Sequence, residues 1–284
     1  MLKLEPLLLS ADEAAATSSY LRSLQERSSS LLVAAQSLFA RCCLAAGPGS
    51  PGMLGELGAE ADALGQRILH APQPDQLGLD PVLLIEIYRL LKDGGIEPAA
   101  IGALLERVGA ELLTQDERIQ AMGRVRYIAS QLTCLGFSAR AAKPTKEMAL
   151  LMRSPENWFS ATAADLAELA DHLVADRRRL EHDASQILAL IALAELRNYR
   201  VDLSCSLLRA VFQLGEPSAE AADALSFIAL QRRRDGRYGF SNQFVEASAG
   251  ADEHLELFLP LTVNAVWLFH VEATYRSPLQ PLNA

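Results

Sequence analysis

The sequence predicts an all-α protein built from helical hairpins, and three observations carry that prediction. Alanine and leucine dominate, whereas alternating apolar and polar runs rich in Val, Ile and Thr are absent, which favours helix over strand at nearly every position. Twice, at 80–109 and 187–215, an almost wholly apolar helix is followed by a short polar turn and an amphipathic helix that ends at Gly. The stretch 225–275 reads helix, glycine-anchored turn, helix, with Gly236 and Gly239 supplying the backbone freedom that a sharp exit needs. Stacked hairpins with apolar inner helices and amphipathic outer ones close into a ring or continue as an open superhelix. A ring over 76–284 with an N-terminal helical extension over 1–75 is the expected arrangement.

The elements follow in order. Ser10 with Glu13 three residues on forms a capping arrangement, and the helical pattern then runs to about residue 46, broken near Ser28-Ser29-Ser30. Gly47-Pro48-Gly49-Ser50-Pro51-Gly52 is the strongest breaker in the chain. Helix returns at 53–69 and stops at Ala71-Pro72-Gln73-Pro74. In 80–91 the apolar positions cover most of the helix surface, which marks an inner helix; Asp93-Gly94-Gly95 ends it, and Glu97-Pro98 restarts an amphipathic helix through Val108. One helix is expected over 117–135, ended at Gly136, then a short segment at 148–152 and a helix over 163–177. A second inner helix, 187–196, precedes the amphipathic 201–214, which stops at Gly215 with Pro217 beyond. The last helix covers 255–275.

Bulk properties restrict the function. Of the 284 residues 50% are hydrophobic and 21% charged, an ordinary globular balance. The formal net charge of -9 argues against a nucleic-acid partner, because phosphate backbones attract clustered Lys and Arg. A small-molecule or peptide-like ligand, or a protein partner, fits better. Cys42, Cys43, Cys134 and Cys205 show no CxxC spacing and read as reduced, mostly buried thiols of a cytoplasmic protein. The apolar start is too short to span a bilayer, no secretion signal is legible, and no other segment reads as a membrane span, so no membrane partner is expected.

Two resemblances bear on these expectations. Leu230-Gln231 followed by Asp235-Gly236-Arg237-Tyr238-Gly239 resembles the turn motif of the α/α-toroid proteins, the terpenoid cyclases and prenyltransferase β subunits, and Thr262-Val263-Asn264-Ala265-Val266-Trp267-Leu268 resembles the inner helix that follows it. The chain as a whole is similar to a family of bacterial all-helical proteins of unassigned function, through Asp116-Glu117-Arg118, Arg126-Tyr127, Val201-Asp202-Leu203 and the Asp-Gly turn. That family's pattern carries a Thr-His pair, a Glu and a Tyr-His-Thr where this chain has Ala170-Asp171, Ser206 and Leu259-Pro260-Leu261. Asp202 is kept, and His172 stands one residue out of place. The resemblance to cyclases implies a central cavity, but neither DxDD nor DDxxD is present.

Several residues are candidates for chemistry. Glu181-His182-Asp183 and Asp252-Glu253-His254 each lie before an apolar helix, where a His carries a proton and a neighbouring carboxylate fixes its tautomer; acidic residues at helix starts also serve the macrodipole alone. Catalytic candidates are therefore His182, Asp183, Asp202 and His254. Ligand-binding candidates are Arg237 and Tyr238 beside the glycine turn, with Trp158 and Trp267 as aromatic walls; core packing is the competing role for both tryptophans. A zinc set would have to combine Asp202, Cys205 and His270 from separate helices, and no metal or cofactor is expected. The function these point to is a biosynthetic protein that holds an apolar or peptide-like small molecule in a helical cavity, with metal-free acid–base cyclisation or isomerisation as its chemistry. The alternative is a non-catalytic helical scaffold that dimerises or pairs with an active relative through 10–46 and 53–69.

Overall fold

The computed structural model describes residues 9–46, 53–71, 79–239, 250 and 254–276. The expected breakers at 47–52 and 72–74, and Asp252 and Glu253, lie outside the described residues. Among those described, every regular element is helical, and the one β-bridge is the isolated pair Arg232 and Tyr238. The protein is all-α.

The first two helices are α1 (Ala11–Arg27) and α2 (Leu31–Ala45), separated at the serines as the sequence predicts. Ser10 and Glu13 form the reciprocal capping box, with Ser10 N–H donating to Glu13 Oε2 at 2.9 Å. Next come α3 (Met53–Leu69), α4 (Pro81–Asp93) and α5 (Ala99–Thr114). Asp80 caps α4 through the Val82 amide at 3.0 Å, and nine of the thirteen α4 residues are buried, so this helix is the inner member of its hairpin.

The expected single helix over 117–135 is two pieces, α6 (Glu117–Gln120) and α7 (Gly123–Leu135). Gln120 turns back to donate from Nε2 to the Leu112 and Gln115 carbonyls at 2.8 and 3.1 Å, satisfying orphan acceptors at the end of α5. The Glu168 carboxylate then accepts the Gly123 amide at 2.5 Å and so caps α7. Packing there leaves no room for a side chain, since a Cβ at Gly123 would sit 2.6 Å from the Glu168 carbonyl oxygen. The break is therefore imposed by a residue 45 positions away.

After α8 (Lys146–Leu151) and a 3-10 turn at Pro155–Ser160 come α9 (Ala163–Ala175), α10 (His182–Arg197), α11 (Val201–Leu214) and α12 (Ala219–Ala229). The second hairpin reverses the expected order of burial. Helix α11 buries nine of fourteen residues and packs against α9, α10 and the last helix, whereas α10 buries seven of sixteen and leaves Leu190 38% exposed. Apolar content alone misleads here: Leu190 and the half-buried Ile187 and Leu193 extend the α10 apolar surface beyond the face its neighbours cover.

The last helix, α13 (Leu259–Arg276), is entered through a π turn at His254–Phe258. The stretch His254–Tyr275 is long and apolar enough to cross a membrane, contrary to the expectation from sequence, but 61% of its apolar window is buried inside the protein. It is a core helix, lying between α2 and α11.

The neighbours of each helix define the packing. Helix α2 lies against α1, α3, α4 and α13; α4 against α5 and α7; α7 against α9; α9 against α11; and α11 against α13. One hydrophobic cluster runs through all of these, from Tyr20 to Val271. The glycine turn after Gln231 is clamped to α1. Gly236 takes φ +92°, its carbonyl accepts from Thr17 Oγ1 at 2.9 Å, and Arg232 donates to the Glu13 carboxylate and carbonyl at 3.1 and 3.0 Å. Buried Thr262 ties the turn to α13, accepting the Tyr238 amide at 3.1 Å and donating to Phe258 O at 2.7 Å.

Candidate ligand site

A cavity of about 560 Å³ opens where the starts of α9, α11 and α13 meet. Asp202 and Ser206 stand one turn apart on α11 and face it together. Ala163, Ala167, Leu257 and Leu261 supply apolar walls, and Tyr199, Arg200 and Glu256 stand with them. The side chain of Asp202 is not a helix cap: it accepts from Asn264 Nδ2 at 2.9 Å. Asn264 Oδ1 accepts from Arg209 at 3.2 Å, and Arg209 also donates to Ser206 Oγ at 2.9 Å. These four side chains form a hydrogen-bonded chain that links α11 to α13.

This chain of bonds leads into a buried polar interior. Arg209 is 8% exposed and stacks on Trp267, 3.7 Å from the ring centre, while Phe39 of α2 meets the same indole edge-on at 5.3 Å. Burial lowers the Arg209 pKa. Arg124 on α7 pairs with Asp80 and, at 3.7 Å, with Asp171 on α9. Further along, Glu86 accepts two hydrogen bonds from Arg89 at 3.0 and 2.6 Å and one from the Tyr127 hydroxyl at 3.3 Å, although only 3% of it is exposed. Burying these charges is tolerable only because most are paired.

Glu86, Arg124, Arg209 and Asn264 are not among the site candidates that the sequence suggests. A signal for two of them was present: Glu86 and Arg209 are single charges inside apolar runs, Ile85-Glu86-Ile87 and Leu207-Leu208-Arg209-Ala210-Val211. A charge on the buried face of a helix needs a partner from another element.

Of the catalytic and ligand-binding candidates only Asp202 lines this cavity, alongside Ser206, Pro260 and Leu261 from the replaced motif positions. His182 and Asp183 are exposed in the first turn of α10. His254, in the π turn, meets the Tyr20 hydroxyl through Nδ1 at 3.2 Å. Arg237 pairs with Asp235 at 2.7 Å and lies 4.9 Å from the centre of the Phe258 ring. Tyr238 is fully buried, 6.0 Å from Phe269 between ring centres. Trp158 is a core residue, 1% exposed, with its Nε1–H donated to Leu151 O at 2.7 Å. Trp267 is also buried, as the platform for Arg209.

The zinc set is not assembled: among the described residues no group of three or more His, Cys, Asp or Glu is placed to hold a metal. Cys205 is fully buried and its thiol is pushed up to about 12 by burial, so it is no ready thiolate ligand. Cys42 and Cys43 are likewise buried, and Cys134 is exposed. Compared with protein-family models, curated proteins and solved structures, the chain matches none.

Three groups near this interior couple folding to pH. Burial, reinforced by Arg126, lowers the His172 pKa to about 4, and Arg126 donates to its Nδ1 at 2.7 Å, a contact that requires neutral imidazole. Burial and Arg89 lower His270 to about 4, and burial raises Asp171 to about 6 against the pull of Arg124. Below the ordinary histidine value of 6.5 the unfolded chain binds protons at both histidines that the folded chain refuses, so stability falls with pH between 6.5 and about 4. Asp171 works the other way between about 6 and 3.8, because the folded chain then holds the extra proton. Each unmatched proton changes stability by about 1.4 kcal/mol per pH unit. Urea titrations from pH 7 to 4 should therefore show a net loss of stability, shallower in His172→Gln and steeper in Asp171→Asn; a rise in stability toward pH 4 would reverse the assigned signs.

Proposed function

We propose that the helices form an α/α-toroid-like ring and that the cavity at its rim holds an apolar or peptide-like small molecule. Supporting the ring, the packing order α2, α4, α7, α9, α11, α13 returns to α2, and α1, α3, α5, α10 and α12 alternate with these helices along the chain except between α7 and α9, where only α8 and the 3-10 turn intervene. Supporting the ligand, the cavity falls within the few hundred to one thousand Å³ usual for small-molecule sites and combines apolar walls with a few polar groups. The single observation that carries the reading is the pair Asp202 and Ser206, which face this space and are fixed from behind by Asn264 and Arg209.

No histidine is among the cavity's lining residues, so acid–base work there falls to Asp202 and Glu256 rather than to His182 or His254. The scaffold reading loses part of its interface, because eleven of the fifteen α2 residues are buried in the core. Native mass spectrometry of the purified protein tests the proposal. A bound mass below about 1 kDa is expected, the scale of a ligand that fits such a pocket, and Ser206→Trp, which fills the space, should lose it with the fold intact by circular dichroism. A protein that carries no small molecule, or a variant that retains it, contradicts the assignment.

A further inference from the structure

Given that reading of the rim cavity, we infer that its ligand is an organic cation, an apolar body bearing an ammonium group, held between the carboxylates of Asp202 and Glu256 and the ring of Tyr199. Three independent features converge there.

Large exposed side chains stand on two sides of the space. Tyr199 takes φ +60°, one of two non-glycine residues with positive φ among those described, and its ring is 75% exposed at the cavity. That conformation closes the C-terminus of α10, where the Tyr199 and Arg200 amides donate to Leu196 O and Glu195 O at 3.0 and 2.9 Å. Opposite it, the π turn His254–Phe258 presents Glu256 and a 49% exposed Leu257 to the same space. Single π turns are rare and often mark functional positions. Two large, exposed apolar side chains thus flank a pocket with apolar walls, a surface suited to a guest.

Charge decides the class of that guest. Three helix starts bring about half a positive charge each, which alone would favour an anion. Arg200 adds one more but is paired with Glu195 at 3.3 Å. Against these stand Asp202 and Glu256 in the lining, while Asp165, outside it, offsets the α9 dipole from the capping box with Thr162. Glu256 forms no ion pair among the described residues, and Asp202 is neutralised by no cation, only oriented by the Asn264 amide. The mouth is net negative. An exposed aromatic ring beside two carboxylates is the arrangement that captures an ammonium, by cation–π attraction and by charge.

The test uses 4-phenylbutylamine, 4-phenylbutanol and 4-phenylbutyrate, which share one apolar body and differ in head group, titrated into the full chain at pH 7 and followed by calorimetry and ligand-observed NMR. The amine should bind about tenfold or more tighter than the carboxylate, and the amine-to-alcohol affinity ratio should fall about fivefold in Asp202→Asn and in Glu256→Gln. Having two isosteric variants on separate helices guards against one that fails to fold. Equal binding of all three probes, or tighter binding of the carboxylate, when abolished by Ser206→Trp, leaves the cavity as a site and overturns the cation assignment. No binding of any probe, together with no molecule retained in native mass spectrometry, removes the ligand-site reading and this inference with it.

Discussion

Gly236→Ala should cost about 3 kcal/mol or more and lower the melting temperature by about 6 °C or more. Two effects add. The residue sits at φ +92°, where a Cβ crowds the following carbonyl, and that same Cβ would stand 2.4 Å from the Thr17 amide nitrogen and 2.5 Å from the Ala16 carbonyl carbon. Both neighbours are backbone atoms of α1 and cannot swing aside, so the turn would have to leave the helix, releasing the Thr17 and Arg232 contacts. Gly95→Ala separates the terms: it has φ +80° but open space around the Cβ position, and should lose only about 1–2 kcal/mol. Equal melting shifts for the two variants would mean that the turn is not docked on α1.

Glu86→Met should be the other severe change, costing about 3 kcal/mol, because it removes the acceptor shared by the buried Tyr127 hydroxyl and the half-buried Arg89, which is left with only Asp93 at 3.8 Å. The origin of the loss is checked by the double variant Glu86→Met with Arg89→Met. Removing both charges spares the desolvation penalty, so the double variant should be more stable than Glu86→Met alone in urea denaturation. A double variant that loses the sum of the two single losses would place the effect in lost packing rather than in a stranded guanidinium.

These residues also show what the sequence could and could not reveal. Local signals were legible: the capping box at Ser10, the serine break before α2, the bounds of α3, the Gly94-Gly95 stop and the left-handed Gly136 all follow from chemistry within a few residues of each feature. Gly236 was legible as a turn, but the reason it must be glycine lies on α1, more than two hundred residues earlier. The split before α7 was hidden for the same reason, since its cap is Glu168. Hydrophobic content could not rank α10 below α11 in burial, because burial depends on how many neighbours a helix has. At the site, Asp202 stood out by resemblance, while the groups that orient it, Asn264 and Arg209, sit on apolar helices and gain meaning only once α11 and α13 are side by side.

The proposed closure of the ring rests on α2 meeting α13, where Phe39 and Trp267 pack edge to face at 5.3 Å. A double-mutant cycle with Phe39→Leu and Trp267→Leu measures it directly, read against a Phe39 and Trp158 cycle whose losses should add within about 0.5 kcal/mol. A closed ring requires a coupling energy of about 0.5–1.5 kcal/mol for the Phe39 and Trp267 pair. Losses that simply add there would mean that the first and last inner helices are not neighbours and that the chain ends as an open superhelix.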